Sequence, residues 1–402
     1  MEEGFNFTLV RIFRAPSCDY ACSFHSRGVM SKTKTWLRRG AVGLAALTVA
    51  VVGGAAATRA FLQHETAERL RIDSEKGVQE SGFVKLPSGE QWVVVRGENR
   101  DNPVLLVVHG GGVATSLFAE DFKSWEKDFT VVHWDRRDHG KSLARAGGRI
   151  DPNQGVDSFV ADGLALTEHL RTRLHKPRIA LLGWSWGSRV SLTMAHLRPD
   201  LFSVYVGTGQ AVDNSARDRH VYDHMLEVAK TGKHPELLAK LTGLGPPPYD
   251  PPSRWKEVDD LEPIYLKTEG PKKTDGQLYA QALAMPDWSI RDLLTYKDGG
   301  RIIRRQRALA VYVANNDWKA APLGKDFAMP MVLIQGEYDH PDFVRPWFDG
   351  LNAPSKDLVV LPGTGHAAIQ MQSVRFGQAL HDHVLPLAKA REYPDATAKP
   401  VE

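Results

Sequence analysis

Short apolar runs alternate along the chain with stretches whose apolar residues recur at helical spacing. The runs are brief and nearly free of charge, which is typical of strands buried on both faces of a sheet. One stretch between them, Val156–Leu174, repeats apolar residues at Phe159, Leu166 and Leu170, as an amphipathic helix does. This alternation predicts an α/β fold with a doubly wound, mostly parallel sheet. The predicted strands lie at 93–95, 104–108, 130–134, 178–182, 202–206, 331–335 and 358–361.

The alternation breaks between about residues 209 and 325. This region is polar, helix-like and interrupted by proline, including the run at 246–252, before strand-like sequence returns at Met331. We interpret it as a cap inserted after the sixth strand of the fold, which would roof a site and select substrates. The predicted domains are a core formed by 75–208 and 326–390, and a cap at 209–325.

A basic segment precedes an uncharged stretch near the N-terminus. Lys32, Lys34, Arg38 and Arg39 are followed by 18 residues, 40–57, that are mostly Ala, Gly and Val. Such a stretch spans a bilayer marginally, and the basic flank stays in the cytoplasm. We predict a signal-anchor segment at 30–62 with the α/β domain on the non-cytoplasmic side. A cleaved signal is the alternative, because the alanines at 55–57 resemble a cleavage site.

Residues 1–29 look unlike the rest, and Met30 would make a natural start, so we expect a non-native or disordered extension there. Both cysteines, Cys18 and Cys22, fall within it.

Composition limits the choice of function. The 402 residues are 42% hydrophobic and 25% charged, enough for a large core in an ordinary globular enzyme. The formal net charge is +3, but residues 1–39 carry +4, which leaves −1 for the remainder. This balance does not favour nucleic-acid binding, which requires a basic face.

The sequence G-x-S-x-G at 183–187 is the most specific feature of the chain. It follows the strand-like run at 178–182 and precedes a helical pattern that ends before Pro199. This is the context of a nucleophile elbow, in which a strained turn exposes a serine hydroxyl. We predict that Ser185 is a nucleophile, with a purely structural turn serine as the alternative.

A serine nucleophile requires a base, an orienting carboxylate and oxyanion donors. Asp339 and His366 each come just after a predicted strand, in the chain order Ser, Asp, His of α/β-hydrolases. Asp317 and Asp342 are the competitors of Asp339.

The oxyanion donors are expected in two segments, the loop after the strand at 104–108 and the residue that follows Ser185. The strand at 104–108 runs into His109 and three glycines, whose backbone can face a substrate carbonyl. We predict that the N–H groups of Gly111 and Trp186 form the oxyanion hole.

With these motifs the chain resembles α/β-hydrolases of the prolyl iminopeptidase-like group over residues 81–387. Members show H-G-G-P-G, D-Q-R-G-x-G-x-S, G-x-S-W-G-S, G-x-x-D and a late G-H, which match 109–113, 135–142, 183–188, 336–339 and 365–366. The resemblance implies a serine aminopeptidase of that type. The chain departs from it with Gly112, Val113 and Asp138, where members have proline, glycine and glycine. It also lacks the W-x-x-W-E pattern with which family aminopeptidases hold a free amino end.

The sequence thus predicts a serine hydrolase that cleaves a small peptide, amide or ester through an acyl-enzyme. A carboxylesterase or lactonase is the alternative, and a non-catalytic hydrolase-like binding protein is a further one. We expect no cofactor and no metal, and we take His109, His133 and His139 as structural residues scattered on separate loops. Two cap acids that converge on Ser185 would favour an amine substrate. The candidates are Glu227, Glu236, Asp259, Asp260, Glu262 and Glu269.

Overall fold

The computed structural model describes residues 29–111, 114–149, 154–249, 257–258, 260–261, 273–298 and 317–392. Cys18, Cys22, Gly112, Val113, Asp259, Glu262 and Glu269 lie outside them. The chain divides into two compact units, one up to Thr58 and one from Arg59 onward.

In the part of the chain that the structure describes, eight strands form one sheet, in the order β1-β2-β4-β3-β5-β6-β7-β8. The β1–β2 and β2–β4 pairs are antiparallel and the other pairs are parallel. The prediction of a doubly wound, mostly parallel sheet is therefore confirmed. The strands are β1 Val78–Leu86, β2 Gly89–Gly97, β3 Val104–Val108, β4 Thr130–Asp135, β5 Ile179–Trp184, β6 Phe202–Thr208, β7 Met331–Gly336 and β8 Lys356–Leu361.

Both faces of the sheet are covered. On β3, Val104, Leu106 and Val108 belong to one buried cluster, whereas Leu105 and Val107 belong to the other. Successive side chains of a strand point to opposite faces, so an all-apolar strand has to bury both. This is why β3 is a continuous apolar run.

Helices connect the strands and also form the insertion after β6. The core helices are α2 Gly140–Arg145, α3 Val156–Leu174, α4 Gly187–Leu197, α9 Pro341–Asp349, α10 Ala368–Met371, α11 Ser373–Ala379 and α12 Leu385–Glu392. Between β6 and β7, the described part of the inserted cap contains α5 Asn214–Thr231, α6 Pro235–Leu244, α7 Asp275–Ala284 and α8 Ile290–Asp298.

The first helix, α1, spans Val29–Leu70 and extends well beyond the uncharged stretch at 40–57. Its part from Trp36 to Leu70 reaches a mean hydropathy of 1.9 over 18 residues, so by length and composition it is able to cross a membrane.

The last turns of α1 belong to the second unit and bind the cap. Gln63 Nε2 donates to the carbonyl oxygen of Met285 at 2.9 Å, and the guanidinium of Arg59 donates to that of Trp288. Leu70 is buried in a cluster with Met285 and Trp288. The end of this helix is therefore part of the second folded unit.

Candidate active site

Ser185 lies on a sharp turn between β5 and α4. Its φ of 53° is in the left-handed region, which costs a non-glycine residue about 1–3 kcal/mol and recurs at functional sites. The turn is fixed because the Ser185 N–H donates to the carbonyl oxygen of Thr208 at 2.8 Å. A Cβ on Gly187 would lie 2.2 Å from the carbonyl oxygen of Val108, so no larger residue fits there. The geometry is that of a nucleophile elbow.

The two tryptophans that flank Ser185 anchor the turn in opposite layers. Trp184 packs in one core cluster and Trp186 in the other, and both are buried. Ser185 itself is partly exposed. The hydroxyl therefore faces open space while both neighbours are held in the core.

His366 and Asp339 complete a chain of hydrogen bonds with the serine. The Oγ of Ser185 is 2.7 Å from Nε2 of His366, whose Nδ1 is 2.8 Å from Oδ1 of Asp339. Asp339 follows β7 and His366 follows β8, so both come from the carboxyl ends of strands, where parallel sheets place their sites. The competitors are elsewhere, since Asp317 and Asp342 are exposed and neither forms the contact with His366.

Electrostatics keep the buried Asp339 carboxylate ionised. Burial would raise its pKa, but the charge and hydrogen bond of His366, together with the charge of Arg217, outweigh that effect and lower the pKa below its usual value. An ionised Asp339 favours the tautomer of His366 that carries a proton on Nδ1. In that tautomer Nε2 carries no proton and can accept the hydrogen bond of the Ser185 hydroxyl, 2.7 Å away.

Next to the elbow, the loop after β3 approaches Ser185 closely. A Cβ on Gly110 would lie 2.8 Å from Cβ of Ser185, whereas one on Gly111 would meet nothing within 4 Å. Among the turn and loop hydrogen bonds between described residues, none is donated by the backbone N–H of Gly111 or of Trp186. These two N–H groups remain the predicted donors to a bound oxygen.

A buried network that the sequence did not predict holds this loop. The backbone N–H of Arg136 donates to Nε2 of His109, so Nδ1 carries the proton and donates to the carbonyl oxygen of Gly110 at 2.7 Å. The Nη2 of Arg136 donates to the same oxygen at 3.2 Å. Burial and the charge of Arg136 hold the pKa of His109 well below its usual value, so the ring stays neutral.

The interpretation of the three histidines as scattered on separate loops is wrong. His133 lies within β4, and the rings of His109 and His139 are in edge-to-face contact, with centroids 4.6 Å apart. No local signal in the sequence indicated this contact, because it joins the loops that follow β3 and β4. These two strands are neighbours in the sheet, whereas the two histidines lie far apart along the chain.

The same network explains Asp138, which stands where similar hydrolases have glycine. Its carboxylate is buried, 2.8 Å from Nδ1 of His139 and 3.8 Å from Nε of Arg136. Burial would raise its pKa, but the charges of His139 and Arg136 outweigh it and hold the pKa far below its usual value. Asp138 therefore neutralises Arg136 beneath the loop.

Asp135, from the same motif, organises the residues that follow it. Its carboxylate accepts hydrogen bonds from the N–H and hydroxyl of Ser116 at 3.1 and 2.8 Å. Burial raises the pKa of Asp135 to about 6, although these bonds and the N–H of Lys141 oppose the rise. Gly140 packs so closely that a Cβ there would lie 2.2 Å from this carboxylate.

None of the candidate cap acids that the structure describes is buried. Glu227 and Asp260 are exposed, and Glu236 pairs with Lys240 at 2.8 Å on the surface. A cap acid that is buried is Asp292, which binds Nζ of Lys141 at 3.2 Å. The sequence did not single it out.

A second group of titratable residues lies near Asp339. His220 of α5 comes together with His340 and Asp342, which follow β7. Burial and the charge of Arg217 lower the pKa of His340 to about 4. Nothing in the residue spacing indicated this group, because His220 is far from the other two along the chain.

Comparison with known proteins assigns the family. The model of the alpha/beta hydrolase family matches residues 105–378, and the chain belongs to that family. It is similar to the probable aminopeptidase YbaC of Bacillus subtilis (strain 168), with 26% identity over 78% of this chain and 98% of that protein.

Solved structures of proline iminopeptidase type share the fold. A proline iminopeptidase-related protein from Thermus thermophilus aligns with a TM-score of 0.51 and 22% identity, over 78% of this chain and 99% of its own. Proline iminopeptidase of Mycobacterium smegmatis aligns with a TM-score of 0.53 and 19% identity, over 77% and 99%.

Proposed function

We propose that this protein is a serine hydrolase that cleaves a small peptide, amide or ester through an acyl-enzyme. The observation that carries the proposal is the continuous hydrogen-bond chain from Ser185 through His366 to Asp339. Such a chain lets an otherwise weak nucleophile lose its proton as it attacks. No cofactor is needed for this chemistry.

In the proposed mechanism, Ser185 Oγ attacks the substrate carbonyl carbon while Nε2 of His366 takes the hydroxyl proton. The developing oxyanion accepts hydrogen bonds from the N–H groups of Gly111 and Trp186. His366 then returns the proton to the leaving group, and Asp339 stabilises the imidazolium that forms in between. Water repeats the cycle on the acyl-enzyme and releases Ser185.

Within this class we favour an aminopeptidase of proline iminopeptidase type. The support is the similarity to a probable aminopeptidase over 98% of that protein's length. An enzyme of this kind has to hold a free amino group, and charge-assisted hydrogen bonds of about 1.5–3 kcal/mol are the usual means. The alternative, a carboxylesterase or lactonase, has no such requirement.

A matched pair of substrates separates the two. Proline p-nitroanilide and its N-acetyl derivative differ only in the free amine, so an aminopeptidase should lose about 10-fold to 100-fold in kcat/KM on acetylation. p-Nitrophenyl butyrate and a γ-lactone serve as ester probes. Turnover of the esters with no turnover of either anilide would instead identify an esterase.

Covalent labelling by a fluorophosphonate tests for a reactive serine, whichever substrate the enzyme cleaves. Wild-type protein should become labelled and Ser185→Ala should not. Absence of labelling, together with no turnover of any probe, would favour the rival idea of a non-catalytic binding protein.

We further propose that α1 attaches the enzyme to a membrane or directs its export, with the catalytic unit on the non-cytoplasmic side. The support is the apolar composition of Trp36–Leu70 and the basic residues just before it and at its start.

A further inference from the structure

Three side chains of the types that bind transition metals lie together where α5 approaches the start of α9. His220 comes from α5, while His340 and Asp342 come from the segment after β7. One ligand atom of each lies within 4.8 Å of the other two. Nε2 of His220 is 3.1 Å from Oδ2 of Asp342.

A buried nitrogen of this group lacks a hydrogen-bond partner. Nε2 of His340 is buried and has no hydrogen-bond partner among the described residues, although His340 is only 7% exposed. Buried polar atoms nearly always have a hydrogen-bond partner, so the lack of one at this nitrogen indicates a position where a ligand can bind.

His220 and Asp342 provide a related observation. Nε2 of His220 is close to the Asp342 carboxylate but forms no hydrogen bond within the described part of the chain. The two atoms lie side by side without the alignment of donor and acceptor. Adjacent ligands around a shared ion are arranged in this way.

The chemical types of the three side chains indicate which kind of ion would bind. Two imidazoles and one carboxylate are typical of zinc sites, whereas magnesium and calcium prefer oxygen ligands. Tetrahedral zinc holds its ligand atoms about 3.3–3.5 Å apart, so a pair separated by the full 4.8 Å would have to close by up to about 1.5 Å. The charge of Arg217, which acts on His340, opposes any cation and predicts weaker binding than at a structural zinc site.

We propose that His220, His340 and Asp342 form a binding site for Zn²⁺ or a similar transition-metal ion, with water completing its coordination. The ion would link α5 of the cap to the segment that carries Asp339. Because it would bind the folded protein and not the separated segments, it stabilises the cap against the core. The observations behind this site do not rest on the proposed hydrolase activity.

Equilibrium dialysis of the full, tag-free chain in detergent against Zn²⁺ tests the site, with metal analysis as the readout. We expect one saturable ion per chain and an increase in Tm with Zn²⁺ concentration that excess Mg²⁺ does not reproduce. Asp342→Asn and His340→Gln should each weaken binding at least about 10-fold. The Asp342 side chain is 66% exposed, so its replacement leaves folding intact.

His381→Gln is the matched control. It removes another His–Asp pair, in which Nδ1 of His381 is 3.0 Å from Oδ2 of Asp128 but which has no third ligand among the described residues. Its zinc affinity should equal that of the wild type. The proposal is overturned if no saturable site near one ion per chain exists, or if Asp342→Asn binds as tightly as the control.

Discussion

Nη2 of Arg136 donates a hydrogen bond to the carbonyl oxygen of Gly110, 3.2 Å away. A trans peptide unit is planar, with its carbonyl and its N–H pointing in opposite directions. The N–H of Gly111 belongs to the same unit, so it points away from the guanidinium. The same guanidinium lies 4.4 Å from the ring centroid of Trp186. One buried cation thus contacts both segments that supply the proposed oxyanion donors.

Replacing Arg136 should therefore lower kcat more than it raises KM. We expect Arg136→Met to reduce kcat by up to about 10²–10³-fold, the cost of one lost oxyanion donor. Arg136→Lys keeps a cation beside Asp138 but lacks the planar guanidinium with its several N–H donors. We expect its kcat to lie between those of the wild type and Arg136→Met. Steady-state kinetics on the best probe, with circular dichroism as a check on folding, give the result.

Arg137→Met is the control for this series. Arg137 also lies against Phe159, but its hydrogen bonds go to Asp162 and to the carbonyl oxygen of Ser158. Its kcat should stay within about threefold of the wild type because it does not touch the Gly110 peptide. Equal losses in Arg136→Met and Arg137→Met would mean that Arg136 acts through general stability alone.

The nucleophile itself can be tested by non-additivity. Ser185→Ala should lower kcat by about 10⁶, and adding His366→Ala should cost little more, since the residues act as a unit. The measurement is kcat of the two single variants and the double variant on one substrate. Near-normal turnover by Ser185→Ala would exclude the acyl-enzyme mechanism.

The sequence predicted best those features that depend on residues close together along the chain. The central strands and α3 were predictable because a continuous apolar run or a helical period is a local signal. β1 was missed because it is an edge strand whose residues are mostly exposed, so it lacks the apolar run of the strands at the centre.

The other features of the fold and the site depend on contacts between residues that are far apart along the chain. Ser185, Asp339 and His366 could be proposed together because each follows a strand at the same edge of the sheet. The contacts of Arg136 with Gly110, and of His220 with Asp342, had no such signal. They depend on which strands are neighbours and on how the cap docks, and residue spacing does not encode either.

Gly111→Pro tests the oxyanion donor directly, because proline has no N–H. We expect kcat to fall by about 10²–10³-fold, or roughly 2.7–4 kcal/mol, with a smaller change in KM. Gly111→Ala is the matched control, since a Cβ there meets nothing within 4 Å and the N–H remains. If the alanine variant lost as much activity as the proline variant, the donor assignment to Gly111 would fail.

Stability in mild acid should depend on the buried His133. Burial and the charge of Arg96 lower its pKa to about 3, from an unfolded value near 6.5. Between these values the unfolded chain binds a proton that the folded chain does not, so stability decreases as pH falls. At pH 5 this cost is about 2 kcal/mol relative to pH 7.5.

Urea unfolding of His133→Gln at the two pH values measures this cost. Its loss of stability between pH 7.5 and pH 5 should be about 2 kcal/mol smaller than that of the wild type. His169→Gln, on the exposed face of α3, should behave like the wild type. An unchanged pH dependence in His133→Gln would show that His133 does not remain neutral in the folded protein.

The last turns of α1 set where the chain can be shortened. A chain that starts at Glu65 lacks Arg59 and Gln63, which bind the carbonyl oxygens of Trp288 and Met285. A chain that starts at Thr58 keeps both. We therefore expect the Thr58 chain to be soluble and active, and the Glu65 chain to have a free energy of unfolding about 1–3 kcal/mol lower.

Fractionation of the full chain tests the role of the preceding segment. An uncleaved anchor should hold the activity in the membrane fraction, where protease added outside the inner membrane reaches the catalytic unit. A soluble mature protein that begins at Thr58 would instead identify a cleaved signal, and such cleavage would leave Arg59 and Gln63 on the enzyme. Activity confined to the cytosol, in a chain that keeps Met30, would contradict both versions, since neither leaves the catalytic unit on the cytoplasmic side.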